Sequence, residues 1–179
     1  MGNNYLIING FGRIGRAVFR LLWNHDVDIK CKYIFEPNMS VENLVYLLKY
    51  DSIYGKFEGK IDVLSDRMIK VNSKNKEWKI NIITNQEYYN FNWNENANLL
   101  VVDSSGCKNS VSHAHRAIDN GINNIFITNW QDDADYILTF GYNEGAFNPT
   151  KHRIISMGIC DIAIQKKYKA VDKGDKIEA

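Results

Sequence analysis

The chain has 179 residues, of which 45% are hydrophobic and 24% are charged, and its formal net charge is +1. These values are typical of a soluble globular protein that buries a core of its own, and we expect residues 1–179 to form a single domain. A charge this close to zero is not the pattern of a nucleic-acid-binding surface, and no apolar run is long enough to cross a bilayer, so neither nucleic acid nor membrane is expected as a partner.

The first third of the chain alternates between strand and helix patterns. The apolar run YLIIN (5–9) predicts a buried strand, and residues 13–23 carry apolar side chains at helical spacing. The segment HDVDIKCKYIFEP (25–37) predicts a second strand that ends before Pro37. The segment SVENLVYLLKYDS (40–52) predicts a second helix with Ser40 as its N-cap.

Residues 56–84 carry a different pattern, in which the runs KIDVLS, MIKVN and WKINIIT alternate apolar and polar residues between short turns. This pattern predicts antiparallel strands. The strand–helix alternation then resumes with four strands and one helix, which ends at Gly121. These elements are the strand NLLVVDSSG (98–106), the helix VSHAHRAIDNG (111–121), and the strands NNIFIT (123–128), DYILTFGYN (135–143) and HRIISMG (152–158). The tail at 160–179 is expected to begin as a helix and to end in a disordered, charged segment.

The stretch GFGRIG (10–15), between the first strand and the first helix, has the spacing G-x-G-x-x-G of dinucleotide-binding loops. In such loops Gly10 permits the tight turn, Gly12 lets the backbone approach a pyrophosphate, and Gly15 lets the helix pack closely on the strand. Glu36 follows Gly15 by 21 positions, where a carboxylate accepts hydrogen bonds from the adenosine ribose and repels a 2′-phosphate. The sequence therefore predicts an α/β fold, a Rossmann-type doubly wound, mostly parallel sheet with a small antiparallel insert near 56–84, and NAD rather than NADP as its cofactor.

The three cysteines, Cys31, Cys107 and Cys160, form no C-x-x-C pair, so neither a disulfide framework nor a metal site is expected. Their number favours a reducing, intracellular setting, and the amino-terminal stretch does not have the pattern of a secretory signal, so we expect a cytoplasmic protein. We expect Cys31, in a strand, and Cys107, at a turn, to be inert. We expect His113 and His115 to be solvated or structural residues of a surface helix.

The chain resembles the phosphorylating glyceraldehyde-3-phosphate dehydrogenase family over nearly its whole length. The segments that carry the resemblance are INGFGRIGRAVFRLL (8–22), NLVYLLKYDSIYGKFEGKI (43–61), VVDSSG (101–106), GYN (141–143) and RIISMGIC (153–160). The resemblance covers only the amino-terminal, NAD-binding half of the family, whose members are about twice as long. It therefore implies an NAD-binding domain that is catalytically incomplete by itself.

The resemblance also implies where the cofactor lies. Gly12, Arg13 and Ile14 match the positions that hold the pyrophosphate, and Ser104 and Ser105 begin a turn that matches the family's Ser-Thr-Gly turn on the nicotinamide side. Taken with the glycine motif, the expected cofactor-binding residues are Gly10, Phe11, Gly12, Arg13, Ile14, Gly15, Glu36, Pro37, Ser104, Ser105 and Gly106. The sequence departs from the family at three places. Glu36 stands where the family usually has Asp, and Gln86 stands where the family has an Arg on the adenine side. Residues 128–130 replace a Ser-Ala-Pro run of the family.

Cys160 stands at the position of the family's nucleophile, which attacks an aldehyde before hydride passes to NAD and phosphate cleaves the thioester. In the family the assisting histidine comes from the second domain, and all four histidines of this chain precede Cys160. Asp161 stands where the family has a threonine that helps to bind the substrate phosphate, and its charge repels phosphate and disfavours a neighbouring thiolate. We therefore expect Cys160 to be inactive.

Three functions remain open at this point. The chain is an NAD-binding module, or one chain of a split aldehyde oxidoreductase that uses Cys160 with a histidine from its partner, or a structural or interaction protein that has lost nucleotide binding. Apolar residues of the tail such as Ile162 and Ile164 are unlikely to stay bare in water, so we expect a homo-oligomer or a partner protein through residues 156–170. NAD titration separates the first two functions from the third, and a search for a bound partner chain separates the second from the first.

Overall fold

The computed structural model describes residues 4–25, 27–93 and 97–157. Its strands, in chain order, are β1 Asn4–Asn9, β2 Lys30–Phe35, β3 Tyr50–Asp51, β4 Gly55–Lys56, β5 Lys60–Ser65, β6 Met68–Asn72, β7 Glu77–Ile83, β8 Asn98–Asp103, β9 Asn124–Ile127, β10 Tyr136–Leu138 and β11 Ile154–Met157. Its α-helices are α1 Arg13–Asn24, α2 Val41–Lys49 and α3 Ser110–Asp119, with short 3₁₀ helices at Tyr88–Asn90 and Glu144–Ala146.

One nine-stranded sheet organises these elements, in the order β10-β11-β9-β8-β1-β2-β7-β6-β5. The strands from β10 to β7 are parallel to their neighbours, whereas β7, β6 and β5 pair antiparallel. The α/β doubly wound architecture and the antiparallel insert are thus confirmed, and the insert extends the main sheet at one edge. β1 lies between β2 and β8, so the order of the strands reverses at β1 and β8.

The core lies on both faces of the sheet because successive side chains of a strand point to opposite faces. In β1, Ile8 joins the cluster under α1 and α2, together with Phe19 and Leu44. Its neighbour Ile7 joins the cluster on the other face, which includes Ala114 of α3. A parallel sheet is stable only when both of its faces are covered. Because an apolar layer covers each face of this sheet, its central strands are apolar at successive positions and not only at alternate ones.

The predicted helix boundaries agree with the local chemistry. The Ser40 hydroxyl accepts a hydrogen bond of 3.3 Å from the Asn43 backbone N–H, as an N-cap does. Gly121 follows α3 with φ +108°, and a Cβ at this position would meet the Trp93 carbonyl group. Only glycine combines that backbone angle with such a close approach.

The strand predicted over 135–143 is wrong in its second half, because only Tyr136–Leu138 is extended. The Asn143 side chain accepts a hydrogen bond from the Thr139 N–H and donates one to the Ile137 carbonyl, at 2.8 and 2.9 Å. Together with Gly141 at φ +76°, these bonds turn the chain away from the sheet. The tail predicted at 160–179 lies outside the described residues. None of the described helices has the length and apolarity that a membrane span requires.

Candidate functional site

A cleft of about 330 Å³ opens where β1 and β8 end, at the point where the strand order reverses. Crevices at this position of an open α/β sheet are the usual ligand sites of such folds. The residues that line the cleft come from well-separated segments of the chain and are Asn9, Gly10, Gly12, Glu36, Pro37, Asn38, Glu87, Tyr89, Ser104, Ser105, Cys107 and His113.

The three glycines of the loop between β1 and α1 have different surroundings. Gly10 has φ +85°, and a Cβ there would lie 2.8 Å from the backbone of Ser105. A Cβ on Gly15 would overlap the Gly10 carbonyl oxygen. Gly12 has φ −70°, and a Cβ there would meet nothing within 4 Å. Gly10 and Gly15 are therefore required by the fold itself, whereas the missing side chain of Gly12 leaves open space on the wall of the cleft.

The amino end of α1 meets the cleft at Gly12, which is the N-cap of this helix. No side chain caps it, and its first turn contains no acidic residue. The first N–H groups of an α-helix have no partner inside the helix, and the helix dipole adds partial positive charge at this end. This end of α1 therefore offers backbone donors to an anion such as a pyrophosphate.

Glu36, which follows β2, holds its carboxylate at the side of the cleft through two backbone hydrogen bonds. Its Oε2 accepts from the Phe11 N–H at 2.8 Å, and its Oε1 accepts from the Asn38 N–H at 3.3 Å. A carboxylate has about four lone-pair sites, so both oxygens can still accept bonds from a ligand. The same side chain thus braces the glycine loop and offers acceptors to hydroxyl groups.

The turn after β8 supports the glycine loop from the other side. The Ser104 hydroxyl donates to the Gly10 carbonyl at 2.6 Å, and the Ser105 hydroxyl donates to Asp103 Oδ1 at 2.6 Å. The Asn9 side chain also donates to Asp103 Oδ1, at 3.0 Å. These bonds join the ends of β1 and β8, so the two halves of the cleft keep one relative position.

Tyr88, between the lining residues Glu87 and Tyr89, is completely buried. Burial, first, and then the neighbouring Asp103 carboxylate raise the pKa of Tyr88. Its hydroxyl therefore stays protonated at neutral pH, and its ring belongs to the core cluster on the α3 face of the sheet.

The structure brings only some of the sequence-predicted residues to the cleft surface. Those that line it are Gly10, Gly12, Glu36, Pro37, Ser104 and Ser105. Phe11 is fully buried, with its ring 5.9 Å from that of Phe19, so only its backbone serves this region. Gly15 lies beneath the loop, Arg13 and Ile14 are exposed on the first turn of α1, and Gly106 is exposed beyond β8. Cys160 lies outside the described residues.

Sequence reasoning missed a second set of lining residues, Asn9, Asn38, Glu87, Tyr89, Cys107 and His113. His113, expected to be a solvated or structural residue of a surface helix, is half-buried, and its ring stacks on that of Tyr89 at 4.1 Å and 18°. No local pattern marks this contact, because it depends on how α3 packs against the 3₁₀ helix at Tyr88–Asn90. Cys31, in contrast, is completely buried, and burial raises the pKa of its thiol.

The charge of the cleft wall is negative, since it includes Glu36 and Glu87 and its lining residues include neither lysine nor arginine. Within the described ranges, no three His, Cys, Asp or Glu side chains come together as a metal site. The polar groups of the cleft are therefore suited to a ligand rich in hydroxyl groups whose anionic part rests on backbone N–H groups.

Comparison with known proteins gives one family and many individual matches. The family model described as glyceraldehyde 3-phosphate dehydrogenase, NAD binding domain, matches residues 5–111. A chloroplastic glyceraldehyde-3-phosphate dehydrogenase of Arabidopsis thaliana is 32% identical over 159 residues, which are 89% of this chain and 36% of that protein. The glyceraldehyde-3-phosphate dehydrogenase of Sclerotinia sclerotiorum is 37% identical over 141 residues, 79% of this chain and 40% of that protein. The chain thus spans about two-fifths of the length of these relatives.

Proposed function

The chain belongs to the glyceraldehyde 3-phosphate dehydrogenase family through the NAD-binding domain of that family, and on this premise we propose that it binds NAD in the cleft at the glycine loop. The observation that carries the proposal is the open space next to Gly12, where a Cβ would meet nothing within 4 Å. This residue caps α1, faces the cleft, and leaves the space that a Cβ would fill, whereas Gly10 and Gly15 are already required by packing. An open glycine at a helix N-terminus is what close approach of a pyrophosphate demands.

In the proposed pose, the pyrophosphate rests on the first-turn N–H groups of α1, next to Gly12, Arg13 and Ile14. The adenosine ribose lies against Glu36, whose two oxygens are already held in place by backbone N–H groups. The nicotinamide end lies towards the turn that begins at Ser104. Bound NAD would supply a hydride acceptor, and the residues of this chain bind and orient it.

Glu36 supports the choice of NAD over NADP. A carboxylate next to the ribose accepts hydrogen bonds from both hydroxyl groups, but it repels a phosphate on one of them. Glu87 also lines the cleft and adds a second negative charge, and among the described residues no lysine or arginine lines the cleft to offset it. We therefore propose that NADP binds more weakly.

The aldehyde chemistry implied for Cys160 and the contact region at 156–170 stay predictions, like the cytoplasmic location. Of these residues, only Ser156 and Met157 belong to the described part of the chain. Dehydrogenation of glyceraldehyde 3-phosphate is the activity by which these relatives are named.

The test is a calorimetric titration of the full chain with NAD, in which Gly12→Val is compared with Gly145→Val. Both glycines have room for a side chain and neither has a positive φ, but Gly145 lies in the 3₁₀ helix at Glu144–Ala146 and does not line the cleft. We expect Gly12→Val to weaken NAD binding at least about tenfold, because the new methyl groups occupy the place of the pyrophosphate. Gly145→Val should bind NAD like the unchanged protein.

Both variants should keep the thermal unfolding midpoint of the unchanged protein, which separates loss of binding from loss of fold. The proposal would be refuted if the unchanged chain gave no saturable NAD binding. It would also fail if Gly12→Val bound NAD as tightly as Gly145→Val does.

A further inference from the structure

A thiol and an imidazole lie side by side on the wall of the cleft. Cys107, four residues after β8 ends, is half-buried and lines the cleft together with Gly10 and Ser105. Its sulfur lies 3.9 Å from Nδ1 of His113, on the first turn of α3. In the neutral tautomer that carries its proton on Nε2, the Nδ1 atom of this ring is an acceptor for the thiol proton.

The backbone of Cys107 is held on both sides. Its N–H donates to the Ser105 hydroxyl at 3.3 Å, and its carbonyl accepts from the Ser110 hydroxyl at 3.0 Å. The Gln131 side chain donates to the same carbonyl at 3.4 Å. Because these bonds fix the main chain at Cys107, the sulfur keeps its place in the cleft.

The imidazole of His113 is held as firmly. Its ring stacks on Tyr89, and the Arg116 guanidinium lies 5.0 Å from the centre of the Tyr89 ring. Arg116 also donates a hydrogen bond to the Asn90 side chain, which ties α3 to the 3₁₀ helix at Tyr88–Asn90. The ring of His113 is thus positioned by two elements, and its Nδ1 stays directed at the Cys107 sulfur.

The structure assigns to Cys107 a covalent modification site for low-molecular-weight disulfides, in which His113 takes up the thiol proton. The Cys107 sulfur attacks one sulfur of the reagent, the S–S bond of the reagent breaks as the new S–S bond forms, and the departing half leaves as a thiolate that takes the proton from His113. Cys107 is oxidised to a mixed disulfide, and the departing half is reduced to a thiol. A positioned base accelerates such a reaction because the thiolate is the attacking form.

The site has a consequence for ligand binding, which rests on the proposed function. Cys107 and the glycine loop line the same cleft of about 330 Å³. A group attached to the Cys107 sulfur therefore occupies space in that cleft next to the glycine loop. A group as large as glutathione fills much of that volume. Modification of Cys107 therefore excludes the dinucleotide, and a bound dinucleotide shields Cys107.

The experiment uses the full chain with Cys160→Ser, so that Cys107 and the buried Cys31 are the remaining cysteines. Glutathione disulfide is the probe, intact mass and peptide mapping follow the adduct, and NAD is titrated before and after treatment. His113→Phe keeps an aromatic ring against Tyr89 and removes Nδ1, and His115→Phe is the matched control on the exposed side of α3. Thermal unfolding of each variant confirms that it is folded.

We expect one adduct, on Cys107, with a rate about tenfold lower in His113→Phe and unchanged in His115→Phe. The adduct should weaken NAD binding at least about tenfold, reduction with dithiothreitol should restore it, and Cys107→Ser should make NAD binding insensitive to the reagent. Equal rates in the two histidine variants, or undiminished NAD binding by the modified protein, would overturn the inference. Failure of the untreated protein to bind NAD would instead refute the proposed function, while a fast, His113-dependent adduct would still establish the thiol site.

Discussion

Glu36 combines two tasks in one carboxylate, and substitutions can separate them. Glu36→Gln keeps an oxygen that can accept from the Phe11 N–H but removes the negative charge beside the ribose. We expect Glu36→Gln to lower the ratio of the NADP dissociation constant to the NAD dissociation constant by about tenfold, because the repulsion of the 2′-phosphate is lost. Parallel calorimetric titrations with the two dinucleotides measure this preference. Tighter binding of NADP than of NAD by the unchanged protein would contradict the assignment.

Glu36→Ala serves as the comparison for the bracing task. It leaves the partly buried Phe11 N–H without its acceptor, which costs about 1–3 kcal/mol of unfolding free energy. Urea unfolding of the two variants should therefore show that Glu36→Gln is the more stable.

The sequence predicted that Glu36 lies at the cleft but did not predict this for His113, and the difference has a physical reason. The distance from the glycine loop to the end of the second strand follows from strand and helix lengths, so spacing alone identifies Glu36. The position of His113 depends on the packing of α3 against a 3₁₀ helix, and Cys107 meets it only because the turn after β8 bends back. Residues brought together by tertiary packing leave no periodic signal in the chain.

Among the elements, the small hairpin of β3 and β4 is held to α1 by two arginines, Arg16 and Arg20. The Arg20 guanidinium donates to the carbonyl groups of Leu48 and Gly55, at 2.6 and 3.0 Å, and this side chain is only 6% exposed. Arg16 lies 3.8 Å from the Asp51 carboxylate. The sequence predicted α1 and α2 correctly, because apolar spacing marks them. It could not predict that Arg20 is buried, because that depends on the carbonyl groups placed around it.

The hairpin should lose stability in acid. Hydrogen bonds from the Tyr54 and Ile53 N–H groups, and then the charge of Arg16, lower the pKa of Asp51 below its ordinary value. In moderately acidic solution the unfolded chain therefore binds more protons at Asp51 than the folded chain does. The contribution of Asp51 to stability is present above its unfolded pKa, near pH 4, and is lost as the pH falls through the folded value.

Asp51→Asn tests this expectation, because asparagine keeps an acceptor for the turn and does not titrate in this range. Urea unfolding at about pH 3 and about pH 7 should show a smaller difference between the two conditions in Asp51→Asn than in the unchanged chain. An identical pH dependence of the unfolding free energy in both proteins would show that Asp51 does not carry it.

For the molecule as a whole, the sequence predicts self-association or binding of a partner protein, and no catalytic turnover by the chain alone. Apolar tail residues within 156–170 are expected to be buried against a second copy of the chain or a partner protein. Asp161 is expected to repel a substrate phosphate. Sedimentation of the pure chain should show a species larger than a monomer, and mixing it with NAD and glyceraldehyde 3-phosphate should produce no NADH. A clean monomer that reduces NAD at ordinary enzyme rates would contradict both expectations.

The central place of β1 sets the order in which the molecule can be built during synthesis. Asn4 pairs with Asn98, and Asn9 bonds to Asp103, so β1, which also pairs with β2, waits for its second partner strand until 94 further residues have been made. Until then one edge of β1 is open, and contacts over such long separations form slowly. The glycine loop also lacks the hydrogen bond from Ser104 until that residue has been made, so a nascent chain cannot use the cofactor as a folding aid before then.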